Sequence, residues 1–162
     1  MQRKRKGEKR WTVCLMILVC VSVMSGLTGC SLFEKAIPSG YTDCVEHYEN
    51  GFMDYTDYCK YFYTQEADAV FARHEKYQLV KEQDIERITG YFNHCGDLMR
   101  GSERGAEFDV DLQCISAGDR VYIDTKEGEE RSKNNYYEKY ECYSVFLYDV
   151  ESHTLFYVHN NG

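Results

Sequence analysis

Two runs of aromatic and aliphatic residues near the C-terminus constrain the fold most. Residues 140–149 and 154–159 are rich in Tyr, Val, Phe and Leu, and only Val150-Glu151-Ser152-His153 separates them. Such residues suit a pleated, half-buried surface, and a connection of this length closes a hairpin. Both faces of the two runs are largely apolar. At least one strand is therefore expected inside a sheet, packed on helices. Upstream, Val121 and Ile123 alternate with Tyr122 and Asp124 after the turn Ala117-Gly118-Asp119, which predicts a further strand. Residues 108–115 read as a short strand or an extended passage, and residues 127–139 as a charged loop.

The first half of the body carries helical spacing. Val45, Tyr48, Phe52, Tyr55, Cys59 and Phe62 recur at steps of three and four, one face of a helix. Thr42 serves as its N-cap, with Asp43 and Glu46 in the favoured first turn. Gly51 falls inside this helix at a cost of up to about 1 kcal/mol. A second helix is expected over 66–74, with Ala67, Val70 and Phe71 inward, then an extended passage at 77–80. A third spans 82–100, with Ile85, Ile88, Phe92, Cys95 and Met99 as its apolar stripe and Gly101 at its end. Helices first and strands later predict an α+β domain over 42–162, with N-terminal helices packed on one face of a three- or four-stranded antiparallel sheet.

The N-terminus has its own organisation. MQRKRKGEKR is basic, WTVCLMILVCVSVM is apolar and uncharged, and SGLTGC is built of small residues ending in a cysteine. A basic head, an apolar core and a small-residue region describe an export signal. The uncharged stretch 11–29 is at the short end of what spans a bilayer, so its length does not exclude a retained anchor. Leu27-Thr28-Gly29-Cys30 resembles the lipobox of bacterial lipoproteins: aliphatic, small, small, cysteine. The resemblance covers residues 1–30. It implies cleavage between Gly29 and Cys30 and a diacylglyceryl group on the Cys30 thiol. Residues 1–29 are then the signal peptide, and residues 30–41, with Pro38-Ser39-Gly40, a short tether. The stretch YECYSVFLYDVESHTLFYVHNN looks similar to small bacterial proteins without an assigned activity, and brings none with it.

Charge follows the same division. The chain has 19 basic and 27 acidic residues, of which residues 1–29 hold six and one; the remainder has 13 against 26, a net of −13. A body this acidic repels phosphate and argues against nucleic acid.

Catalytic and metal motifs do not emerge. Five cysteines follow Cys30: Cys44, Cys59, Cys95, Cys114 and Cys142. Export permits disulfides among them, an odd count leaves one over, and no pair stands out. There is no CxxC. His74-Glu75 opens like a zinc-protease motif, but Gln78 stands where its second histidine belongs. Asp109 and Asp111 share a side if their segment is a strand, and paired carboxylates suit a hard cation or acid–base work. Gly101-Ser102-Glu103-Arg104-Gly105 has its serine one place early for a nucleophile elbow. No catalytic residue, metal ligand or cofactor is assigned. Fifteen tyrosines remain as a distinguishing resource, and Tyr58, Tyr61, Tyr63, Tyr136, Tyr137 and Tyr143 are the candidates for an aromatic binding surface. The expectation is a membrane-anchored lipoprotein facing outside the cytoplasm, held in the bilayer through acylated Cys30. It acts as a binding module for an envelope or secreted protein. The alternative is an envelope enzyme or a carbohydrate-binding accessory protein.

Overall fold

The computed structural model describes residues 36–48, 55–125 and 142–162. In chain order the described elements are strands β1 (Asp43–His47) and β2 (Tyr55–Phe62), helix α1 (Ala67–Arg73), strand β3 (Gln78–Leu79) and helix α2 (Glu82–Arg100). Two 3-10 turns follow, Gly105–Glu107 and Leu112–Cys114, then strands β4 (Arg120–Thr125), β5 (Cys142–Asp149) and β6 (Thr154–Asn161). The six strands form one antiparallel sheet in the order β1-β2-β6-β5-β4-β3. The residues after Ile37 belong to one compact unit, Pro38–Gly162, and the first unit is Met1–Ile37.

The C-terminal hairpin forms as its sequence predicts, with Cys142 opposite Asn161 and Asp149 opposite Thr154. Its strands hold the centre of the sheet, β5 beside β4 and β6 beside β2. That position explains why both faces of the two runs are apolar. Helix α2 also occupies its expected residues, with Ile88, Phe92, Cys95 and Met99 buried. Asp84 accepts the Lys81 N–H at 3.1 Å and so caps the helix start.

The predicted arrangement of N-terminal helices on one face of a three- or four-stranded sheet is wrong in three respects, the first being that the sheet has six strands. The helix expected from Thr42 to Phe62 is absent among the described residues; β1 and β2 stand there, paired Asp43 to Phe62 and His47 to Tyr58. The misreading has a physical source. β2 is covered on both faces, with Thr56, Asp57, Tyr58, Cys59 and Tyr61 all buried. An almost continuous buried run offers apolar residues at every spacing, so steps of three and four appear without a helix. Its aromatic residues favour the strand. The expected positions Phe52 and Gly51 lie outside the described residues.

The helices also divide between the two faces. Tyr58, Val158, Val145 and Ile123 stand in register across four strands. With Leu147 and Val121 they make the face that packs with Ile88, Tyr91, Phe92, Cys95 and Met99 of α2. Tyr148 follows Leu147 and so points to the opposite face. There the Phe71 ring of α1 stacks on it, centroids 3.8 Å apart and planes at 11°. Val70, expected inward, is 48% exposed. Residues 108–115 are no strand: the 3-10 turn at Leu112–Cys114 interrupts them. No helix among the described residues is long and apolar enough to cross a membrane.

Candidate functional site

Cys30, Gly29 and the lipobox lie outside the described residues, as do Tyr136 and Tyr137. The other four tyrosines proposed for an exposed aromatic surface, Tyr58, Tyr61, Tyr63 and Tyr143, are buried in the core. Each hydroxyl finds a partner. Tyr58 donates to Asp109 Oδ1 at 2.8 Å, Tyr61 to Glu46 Oε1 at 2.8 Å, Tyr63 to the Pro38 carbonyl at 2.7 Å and Tyr143 to the Tyr91 carbonyl at 3.1 Å. Burial of the rings is the leading reason that the phenols of Tyr58, Tyr61 and Tyr63 titrate far above their ordinary range. These side chains are buried rings with satisfied hydroxyls, not a surface. The bond to Pro38 also holds the end of the predicted tether against the body, and Gly40 takes a φ of 102° that favours glycine.

The expected pair Asp109 and Asp111 separates into two unrelated tasks. Asp111 accepts the Gln113 N–H at 3.0 Å and caps a 3-10 turn. Asp109 takes the Tyr58 hydroxyl and, at 2.6 Å, the Lys60 ammonium. Close by in the chain, Glu107 pairs with Arg104 at 2.7 Å and with His47 at 3.4 Å. The His47 ring lies parallel to that of Tyr58, 6.2 Å away. Acids and bases are matched in this cluster, which ties the loop after α2 to β1 and β2.

A second cluster crosses the other face. Asp57, His159, Ser144 and Asp124 stand in register on four strands. Ser144 Oγ lies 2.8 Å from His159 Nδ1, and Tyr55 Oη 3.4 Å from His159 Nε2. Serine beside histidine is the start of a nucleophilic site. Yet cross-strand neighbours meet at this distance by ladder geometry alone. Strand β5 is paired on both sides, so the backbone N–H groups around Ser144 serve the ladder and do not form an oxyanion hole.

The five body cysteines are free thiols. Burial pushes Cys59 and Cys114 up to about 11 and Cys95 up to about 12, which favours the protonated thiol over the nucleophilic thiolate. Among the described residues no three His, Cys, Asp or Glu side chains are grouped to hold a metal ion.

Among the described residues the sheet has two open edges, β3 with two residues and β1 with five, and β1 is the longer. Among the described residues β1 pairs with β2 only, on one side. Tyr41 precedes it and Tyr48 follows it, each 43% exposed. Tyr41 rests edge-on against Tyr61 and Tyr63, with centroids 5.2 and 6.2 Å away. Tyr48 Oη lies 3.1 Å from Tyr61 Oη and donates to Glu46 Oε1 at 3.4 Å. Asp43 and Glu46 are exposed between them. The Cys44 N–H is held by Asp43 Oδ1 at 2.8 Å. This site was hidden in the sequence because Tyr48 fell on the supposed apolar helix face. The signal for it was Pro38-Ser39-Gly40, a turn cluster directly before a short segment of strand-like residues.

No family model, curated protein or solved structure matches the chain.

Proposed function

We propose that this chain is a lipid-anchored domain facing outside the cytoplasm that works by binding an envelope or secreted protein. The anchor reading rests on the basic head, the apolar core and Leu27-Thr28-Gly29-Cys30. Two acyl chains on Cys30, at roughly 0.8 kcal/mol per buried methylene, suffice for stable attachment where one chain does not. The binding reading is carried by the β1 edge, which among the described residues pairs on one side only and carries two exposed tyrosines and two exposed carboxylates. In-cell crosslinking of the native protein, followed by mass spectrometry of what it carries, tests the binding reading. One dominant protein partner is expected; recovery of sugar or small-molecule adducts alone contradicts it.

The alternative, an envelope hydrolase, rests on the Ser144–His159 contact alone, with no oxyanion hole beside it. A fluorophosphonate probe separates the two. The binding reading expects no labelling that depends on Ser144, and labelling lost in Ser144→Ala establishes the enzyme.

A further inference from the structure

We propose that the outer edge of β1 takes an extended, basic segment of a partner protein as an added strand. The proposal rests on the binding reading above and names the surface and the chemistry of its partner. An edge strand presents N–H and C=O groups with no neighbour on one side, and an extended peptide satisfies them by continuing the ladder. β1 has five residues and spans about 17 Å, room for a short peptide. Tyr41 and Tyr48 bracket it. Tyr61 braces both, the Tyr41 ring edge-on and the Tyr48 hydroxyl by a 3.1 Å hydrogen bond, so they offer contact area with less side-chain freedom to lose on binding.

Charge selects the occupant. Asp43 and Glu46 lie an odd number of residues apart, so they stand on opposite faces of the strand. An added strand therefore meets one carboxylate on each face, and lysine or arginine there makes a favourable cross-strand pair. His47, the one basic side chain of β1, is drawn inward to Glu107. A second copy of this chain fits poorly, because it brings the same two carboxylates and the same body of net −13. An anionic polymer fits worse still.

The test is site-specific photo-crosslinking of the full, anchored chain in its own cell. Benzoylphenylalanine is placed at Tyr41 in one strain and at Leu98, exposed on α2, in another. The expected result is capture at position 41 of an extended segment with two Lys or Arg residues an odd number of positions apart, one for each face of the added strand. Capture falls at least tenfold when Asp43→Lys and Glu46→Gln are added, and is unchanged by Asp97→Lys on α2. Glu46→Gln keeps an acceptor for the Tyr61 hydroxyl, and Asp43→Lys alone gives the same direction if the pair unfolds. Capture that survives these changes, an acidic captured segment, or capture of a second copy overturns the proposal. Capture at Leu98 alone overturns it and leaves the binding reading standing. No capture at either position removes both.

Discussion

Gly96 shows how much one missing methyl group matters in this core. A Cβ built there meets the Phe108 ring at 2.7 Å, inside the buried face of α2. Alanine gains about 1 kcal/mol in helix propensity, but overpacking a filled core costs about 1–3 kcal/mol. Gly96→Ala is expected to lower stability by about 1 kcal/mol in urea unfolding, and Phe108→Leu added to it to restore part of the loss. A gain in stability contradicts this packing. Asp109 supplies a pH signature. Burial works to raise its carboxyl, but the bonds from Lys60 and Tyr58 outweigh burial and hold it below its ordinary value. A depressed folded value means stability that is present above the ordinary aspartate pKa, near 3.9, and is lost as pH falls through the lower folded value. Asp109→Asn is expected to flatten the acid limb of a stability profile below about pH 4. An unchanged limb shows that Lys60 and Tyr58 do not hold the charge. Neither role is visible in the sequence, where Asp109 and Asp111 look alike. Only the fold sends one to a lysine and the other to a turn.

At the scale of elements, legibility followed exposure. α2 lies on the sheet with one face, so its stripe from Ile88 to Met99 reads cleanly against a polar back. β2 is buried on both faces and carries no such contrast, so periodicity misled. Two elements make sharp predictions. α1 is docked by Phe71, stacked on Tyr148 and edge-on to Tyr63 and Tyr77. Phe71→Ala is expected to cost about 3–5 kcal/mol, with amide exchange accelerated most in α1. Uniform acceleration across the sheet contradicts this docking. Asp119, 2% exposed, joins two turns by accepting Ser116 N–H at 2.8 Å and Val150 N–H at 3.2 Å. Asp119→Ala strands both donors, at about 1–3 kcal/mol for each that stays dry. It is expected to loosen the β5–β6 turn, read as faster exchange at Val150. Protection unchanged there shows that the tie is dispensable.

For the whole molecule, the fold depends on long-range strand pairing and the proposed location on a local signal. The sheet joins its first strands to its last, β2 beside β6, so β1 and β2 complete the sheet from the N-terminal side. No local pattern announces such a pairing, which is why the sequence yielded the hairpin and α2 but not the strand count. The proposed place of the protein in the cell rests by contrast on a local signal, residues 1–30, that owes nothing to the fold. On the reading proposed above, an acidic domain held to a membrane by a short tether uses its tyrosine-bracketed edge to capture basic chains. The central claim is the lipid on Cys30. The deciding measurement is the intact mass of the native protein extracted from its membrane fraction. A chain that begins at Cys30, carries a diacylglyceryl mass and loses both in Cys30→Ala is the predicted result. A chain that retains residues 1–29, or begins unmodified elsewhere, contradicts it.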